Sequence, residues 1–214
     1  MKPSIVIVDY GMGNLRSVQK AFEHCGAETK VSGNASEVKK ADKIVLPGVG
    51  AFGQAMRELK QRKLIGVLTD KVRSHTPYLG LCLGLQLLFS SSEEGNVKGL
   101  GLLAGRVKRF SAAKRRPGFK IPHMGWNTLS LQRKNCPLMK GVDAGDYFYF
   151  VHSYVAVPED KEIIQSVTRY GADFCSSVWQ GSLFATQFHP EKSQRAGLNL
   201  IKNFIAYEPA GASC

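Results

Sequence analysis

No apolar run in this 214-residue chain approaches the roughly 20 residues that a membrane-spanning helix needs. The N-terminus, MKPSIVIVDY, carries one lysine, an early proline and an apolar run that stops at Asp9. It therefore lacks the long apolar region and small-residue cleavage site of a secretory signal. Cysteine is sparse too. Cys25, Cys82, Cys136, Cys175 and Cys214 are odd in number and form no CxxC pair, which argues against a disulfide framework and a zinc ribbon. Free thiols and the missing signal lead us to expect a cytoplasmic protein. No HExxH or paired His/Cys spacing offers a metal site. GMGN at Gly11–Asn14 lacks the third glycine of a dinucleotide turn, and PGVG at Pro47–Gly50 is not followed by GK[ST]. The sequence calls for no cofactor and no metal.

Acidic side chains are also in short supply. Against 29 lysines and arginines stand 17 aspartates and glutamates, a formal net charge of +12. Arg106, Lys108, Arg109, Lys114, Arg115, Arg116 and Lys120 crowd into one stretch. A nucleic acid, a phosphorylated metabolite, an acidic protein partner or plain solvent would each suit that charge. No aromatic-rich RNA motif or zinc finger accompanies it, which weighs against nucleic acid.

What is present suits one substantial core: 43% of the residues are hydrophobic and no linker interrupts them. We expect a single domain over residues 1–206 and a small, mobile polar tail over 207–214. SIVIVD reads as a buried strand, followed by a glycine turn. Leu15, Val18, Ala21, Phe22 and Cys25 then fall at helical spacing, closed by Gly26. A short strand at Thr29–Val31, a helix at Ala35–Ala41, and a strand running into the PGVG loop follow. AFGQAMRELKQRKLIGVL resumes helical periodicity. In PYLGLCLGLQLLF we place a strand at Tyr78–Leu81, a sharp turn at Cys82–Leu83 and a helix through Leu88. Repeated strand–helix units with apolar strands argue for an α/β fold, a parallel sheet covered on both faces. After residue 100, RVKRF, NTLSL, YFYFVHSY, EIIQSVTRY, FCSSVWQ and SLFATQF read as strands extending that sheet into a mixed one. AGLNLIKNFIAY is a final helix, with Leu198, Ile201 and Ile205 on its apolar face. Lys114–Lys120 reads as an exposed loop, His24 and His75 as surface residues, and Trp126 and Trp179 as sheet-edge packing.

Three strings carry chemistry. In GLCLG, Cys82 sits between a strand and a helix with glycines two residues away on each side, the shape of a nucleophile elbow. A helix N-terminus behind it would favour thiolate, and the Leu83 N–H would face a developing oxyanion. A buried apolar cysteine is the alternative. In FHPE, His189 ends an apolar strand and Glu191 follows two residues on. Extended chain would put both on one side, so Glu191 would orient His189 toward the thiol. A strand-end histidine in a plain ion pair is the alternative. Gly48, Val49 and Gly50 offer backbone N–H groups to a negative oxygen.

These strings resemble the triad (class I) glutamine amidotransferases: GLCLGLQLLF the nucleophile elbow, QFHPEKS the histidine–glutamate motif and PGVGAF the oxyanion loop. DYGMGNLRSV, HMGWN and YFVHSY narrow the resemblance to the glutaminase subunits of imidazole glycerol phosphate synthase. It spans residues 5 to about 205. It implies a three-layer α/β/α sandwich around a mainly parallel sheet. It also implies Cys82 as nucleophile, His189 as base and Glu191 as orienting acid. Gly48, Val49, Gly50 and Leu83 fall at oxyanion positions. Gln86, His152, Ser153 and Tyr154 fall at substrate-binding positions for L-glutamine. The implied partner is a (β/α)₈-barrel cyclase in a heterodimer, receiving ammonia for histidine synthesis. Ala185 stands where such proteins often have glycine. The basic run is heavier than the resemblance leads one to expect, which keeps open a paralogue feeding another synthase, such as one building surface sugars.

Overall fold

The computed structural model describes residues 3–110 and 120–209. Its first half alternates strand and helix: β1 (Ile5–Val8), α1 (Leu15–His24), β2 (Thr29–Ser32), α2 (Ala35–Lys40), β3 (Lys43–Leu46), α3 (Phe52–Gln61), α4 (Leu64–Arg73), β4 (Tyr78–Leu81) and α5 (Leu83–Gln86). The second half is almost all strand: β5 (Phe89–Ser92), β6 (Val97–Lys98), β7 (Leu103–Arg109), β8 (His123–Thr128), β9 (Ser130–Leu131), β10 (Tyr147–His152), β11 (Tyr154–Pro158), β12 (Ile164–Tyr170), β13 (Ala172–Gln180) and β14 (Leu183–Thr186). Helix α6 (Gln194–Ala206) closes the chain.

The central sheet runs β2-β1-β3-β4-β14-β13-β11-β7-β5-β6, with β12 and β9 branching from β13. Strands β2, β1, β3, β4 and β14 pair in parallel, and β13 turns the order antiparallel. Successive residues of β1 serve opposite faces, as a pleated strand dictates. Ile5 and Ile7 pack with Phe22, Leu200, Ile201 and Phe204 of α1 and α6. Val6 and Val8 pack with Val38, Leu59, Leu64 and Leu68 of α2, α3 and α4. The result is the expected three-layer α/β/α sandwich with a mainly parallel sheet.

Local chemistry sets the element ends. The Asn14 side chain caps α1 through the Ser17 N–H (3.3 Å), and Asn34 caps α2 through the Ser36 N–H (2.9 Å). Gly26 closes α1, as its sequence position predicts, at φ 87°. Buried Lys43 donates to the carbonyls of Phe204, Ile205 and Tyr207, tying the end of α6 to β3. Tyr207 also packs its ring on Phe184 at 4.9 Å, whereas residues 210–214 of the expected tail lie outside the described residues. So does most of the Lys114–Lys120 loop. Lys120 itself exchanges backbone bonds with the Tyr170 hydroxyl.

The structure corrects four expectations. The helix drawn through residues 51–68 is two, α3 and α4, broken where Lys63 turns left-handed at φ 58°. The helix after Cys82 ends at Gln86 rather than Leu88, because the Leu87 and Leu88 carbonyls accept from Leu100, Leu102 and Leu103 instead. YFYFVHSY is not one strand of the main sheet. It splits at Ser153, and β10 pairs with β8 in a separate two-stranded antiparallel sheet. In α6 the buried stripe is Leu200, Ile201 and Phe204, while Leu198 and Ile205 are only partly covered.

Ala185 lies across from Gly80 in the β14–β4 register. A side chain on Gly80 would approach the Ala185 methyl at 3.0 Å, so the missing side chain on one strand makes room for the methyl on the other. Gly84 is tighter still, since a Cβ there would run into the Leu46 carbonyl. Gly84→Ala should therefore destabilise the fold by about 1–3 kcal/mol through overpacking. Gly66→Ala, in α4 with open space around it, should stabilise by about 0.5–1 kcal/mol. Thermal unfolding of the two variants checks the pair of signs.

Candidate active site

Four loops leave the carboxyl ends of β1, β3, β4 and β14 on one edge of the parallel sheet, where open α/β folds place their ligands. The β4 loop is a single residue. Cys82 adopts φ 54° and ψ −103°, a conformation costly for a residue with a side chain. Its N–H donates to the Thr186 carbonyl at 2.7 Å, and α5 begins immediately after it. This is the elbow expected from GLCLG. The helix behind it is one turn long, too short to act as a dipole on the sulfur.

His189 leaves β14 in extended geometry, φ −103° and ψ 94°, as Pro190 predisposes it to do. Its N–H donates to the Tyr149 carbonyl (2.9 Å), and its own carbonyl accepts from Ser193 Oγ (2.6 Å). Nδ1 meets Glu191 Oε1 at 2.8 Å, with both side chains nearly sealed from solvent. The contact does not come from an extended i, i+2 pair. Pro190–Lys192 form a 3₁₀ turn that curls Glu191 back onto the ring.

Burial alone would push the His189 ring toward its neutral form. The Cys82 sulfur and the Glu191 carboxylate outweigh it and pull the ring up to about 10. Nε2 meets no partner in strict hydrogen-bond geometry among the described residues, yet the Cys82 sulfur raises the ring both by charge attraction and by a hydrogen-bonding contribution. Cysteine–histidine pairs are often this loose without substrate. Gln187 Nε2 approaches Cys82 Sγ at 3.7 Å and its Oε1 accepts from Gln86 Nε2 at 3.1 Å. Sequence reasoning missed Gln187. Its position two residues before His189 is the clue, since alternation puts both on the thiol side.

A cavity of about 320 Å³ opens over the sulfur. Its walls include Val49, Gly50, Cys82, Leu83, Gln86, His152, Ser153 and Tyr154, so seven of the eight expected oxyanion and substrate positions meet there; Gly48 lies just behind Leu83. Glu94, Pro122 and Val151 complete the wall and were not foreseen. Glu94 also anchors the chain just after the Gly48–Gly50 loop, accepting from the Phe52 N–H at 2.8 Å. The Leu83 N–H is occupied: it donates to the Gly48 carbonyl at 3.3 Å.

His152 is held from behind. Its Nδ1 donates to the Tyr154 carbonyl, leaving Nε2 to accept from His123 Nδ1, each at 3.0 Å. His123 stacks on Tyr170 with ring centroids 4.0 Å apart. Burial lowers His123 to about 4, and burial together with His123 lowers His152 to about 3. Both rings are neutral at pH 7.

Residues 6–207 match the family model described as glutamine amidotransferase class-I. The chain belongs to that family. It is 50% identical to imidazole glycerol phosphate synthase subunit HisH of Syntrophotalea carbinolica, over 94% of this chain and 98% of the relative. The subunit of the same name in Moorella thermoacetica is 49% identical over 95% and 94% of the two chains. Among solved structures, PurLQS of Thermotoga maritima superposes with a TM-score of 0.74 at 21% identity, covering 95% of this chain and 98% of that one. The glutaminase domain of Trypanosoma brucei CTPS gives 0.70 at 19%, covering 95% and 92%. At those identities the likeness is one of fold. The family-model match thus runs from within β1 to just beyond the end of α6.

Two titrations test this electrostatic picture. Removing the sulfur in Cys82→Ala should move the His189 ring midpoint down, because burial is then opposed by Glu191 alone. Histidine NMR reads it, and an unchanged midpoint would contradict the Cys82–His189 coupling. The second concerns His123 and His152, whose folded pKa values are depressed. Their contribution to stability is complete above about pH 6.5 and is lost as pH falls toward 4 and 3, on the order of 2 kcal/mol for His123. His189, charged in both states over that window, does not oppose the loss. Denaturant unfolding against pH should show the fall, and His123→Gln should flatten it.

Proposed function

We propose that this chain is the glutaminase subunit of imidazole glycerol phosphate synthase, hydrolysing L-glutamine to L-glutamate and ammonia. The observation that carries the proposal is Cys82 in the cavity wall of a class-I amidotransferase fold, with the buried His189–Glu191 pair electrostatically coupled to its sulfur. The relatives at about half identity, matched along nearly their full length, favour the histidine pathway over a paralogous synthase. We assign the domain to residues 1–206.

Cys82 attacks the carboxamide carbon of glutamine as thiolate, stabilised by imidazolium His189 and the Gln187 amide. The carbonyl π electrons move to oxygen, and backbone N–H groups of Leu83 and the Gly48–Gly50 loop receive that charge. His189 passes its proton to the amide nitrogen, and the C–N bond breaks to release ammonia. A γ-glutamyl thioester remains on Cys82. Neutral His189 takes a proton from water, hydroxide adds to the thioester carbon, and the C–S bond breaks to give glutamate and thiolate. Glu191 holds the ring throughout. Glu94 supplies a carboxylate in the cavity wall for the substrate α-ammonium.

On this reading the oxyanion hole is closed at rest: the Gly48 carbonyl already holds the Leu83 N–H. The idle enzyme is therefore slow, and something must turn the Gly48–Val49 peptide. The mouth of the cavity supplies a place for it. Met124 and Trp126 of β8 and Tyr147 of β10 are exposed on one face of the small sheet, and Val49 is exposed at the cavity itself. Arg109, in the basic stretch, pairs across the sheet with cavity residue Tyr154. We assign this face to a (β/α)₈-barrel cyclase. It takes the ammonia before water protonates it and forms imidazole glycerol phosphate and aminoimidazole carboxamide ribonucleotide.

Steady-state glutamate release, with and without the cyclase and its nucleotide, tests the assignment. Docking should raise kcat by roughly 100-fold or more, the worth of a misaimed oxyanion donor, with little change in KM. Cys82→Ala should abolish release while ammonium salts still support cyclisation. Full turnover by the isolated chain would sink the closed-hole account.

A further inference from the structure

The DYGMGN turn lacks the full dinucleotide fingerprint, yet it is closely packed against the Gly48–Gly50 loop. Gly13 faces the Cα and N of Gly48, each 3.7 Å from where its Cβ would lie, and a side chain on Gly50 would come within 2.8 Å of Met12 Cε. A side chain on Gly48 would collide with the hydroxyl of Tyr10. Glycine at that position thus leaves the phenol lying directly against the loop backbone.

Tyr10 is fully buried, and its hydroxyl has no hydrogen-bond partner among the described residues. A sealed, unpartnered hydroxyl is costly and uncommon in a core otherwise built from apolar groups. Burial, and then the Cys82 sulfur, raise its ionisation well above the ordinary phenol range, so it remains an O–H donor. Beside it, the Gly48 carbonyl is bonded to the Leu83 N–H, the bond that must break before the hole can work.

We propose that Tyr10 is a positioning residue for the working oxyanion loop: once the Gly48–Val49 peptide turns over, the Tyr10 hydroxyl donates to the Gly48 carbonyl. The N–H and C=O of one peptide point in opposite directions. Turning the carbonyl away from Leu83 therefore swings the Val49 N–H into the hole and frees the Leu83 N–H beside it. The displaced carbonyl needs a donor in a dry environment, and the Tyr10 hydroxyl needs an acceptor. The turned state satisfies both groups, whereas the closed state leaves the phenol orphaned. Tyr10 touches no substrate atom and acts only through the loop. This proposal rests on the glutaminase assignment above and adds the group that holds the active loop.

The test is Tyr10→Phe in the glutaminase–cyclase complex, which removes one oxygen and keeps the shape. The kcat for glutamine should fall roughly three- to tenfold, the worth of one hydrogen bond, with KM within about twofold of the parent. The melting temperature of the isolated chain should stay level or rise, since the closed state loses only an unpartnered hydroxyl. Ammonium-dependent cyclisation should be unchanged, which shows that the variant folds and docks. Tyr78→Phe is the control, because its hydroxyl is equally buried and unpartnered but is not among the nearest atoms that a side chain on Gly48 or Gly50 would meet. It should keep the parent kcat. Full kcat in Tyr10→Phe, an equal fall in Tyr78→Phe, a loss confined to KM, or a loss of ammonium-dependent cyclisation would each overturn the proposal. Cys82→Ala run alongside separates the two levels: if it still released glutamate, the glutaminase assignment itself would fail.

Discussion

Cys82 stands at φ 54° and ψ −103° because the chain on both sides of it is packed too closely to relax. Its N–H is bonded to Thr186, Gly84 lies against the Leu46 carbonyl, and Gly80 lies against both Gly84 and Ala185. Strain of this kind costs on the order of 1–3 kcal/mol and persists only where the surroundings over-determine it. Here they hold one sulfur at the floor of the cavity, within reach of His189 and Gln187. Relaxing the elbow would lose the position of the thiol, the direction of the Leu83 N–H and the start of α5 together.

The electrostatics follow from that placement. Sealing a histidine in a protein interior ordinarily makes it neutral, and His123 and His152 show this. His189 is just as buried yet moves the other way, because a sulfur and a carboxylate flank it. Two kinds of histidine thus share one site. One kind is charged; the other is neutral and fixed in a single tautomer, with His152 lining the cavity and His123 behind it. The Gly48–Gly50 loop, the proposed oxyanion loop, acts as a brake in that reading. The Leu83 donor is built and aimed, but the Gly48 carbonyl already holds it. In the proposed reading, a partner on the exposed face around Val49, Met124 and Trp126 releases that bond without touching Cys82, His189 or Glu191.

The parallel half of the fold was legible in the sequence because its strands are short apolar runs, most of them ending near glycine; Cys82 sits at such an end, and His189 ends an apolar run closed by Pro190. The rest was hidden for physical reasons. Lys63 breaks a helix that the apolar periodicity carries straight through, since nothing in the pattern marks a left-handed lysine. Ser153 parts two strands that read as one, because either sheet would accept the same alternation. Glu94 and Pro122 reach the cavity from separate segments, and spacing along the chain cannot report that. His123 looked unremarkable until β8 paired with β10 and brought it to His152. Gln187 was within reach of the same alternation that located His189.

The central claim is that the Cys82 sulfur becomes covalently bonded to the glutamyl group during turnover. Rapid acid quench of the working complex, followed by peptide mass spectrometry, tests it most directly. The account predicts a peptide containing Cys82 that is heavier by one glutamyl residue, labile to hydroxylamine and absent from Cys82→Ala. Steady turnover of glutamine with Cys82 unmodified at every quench time, or the glutamyl mass on a different residue, would contradict it.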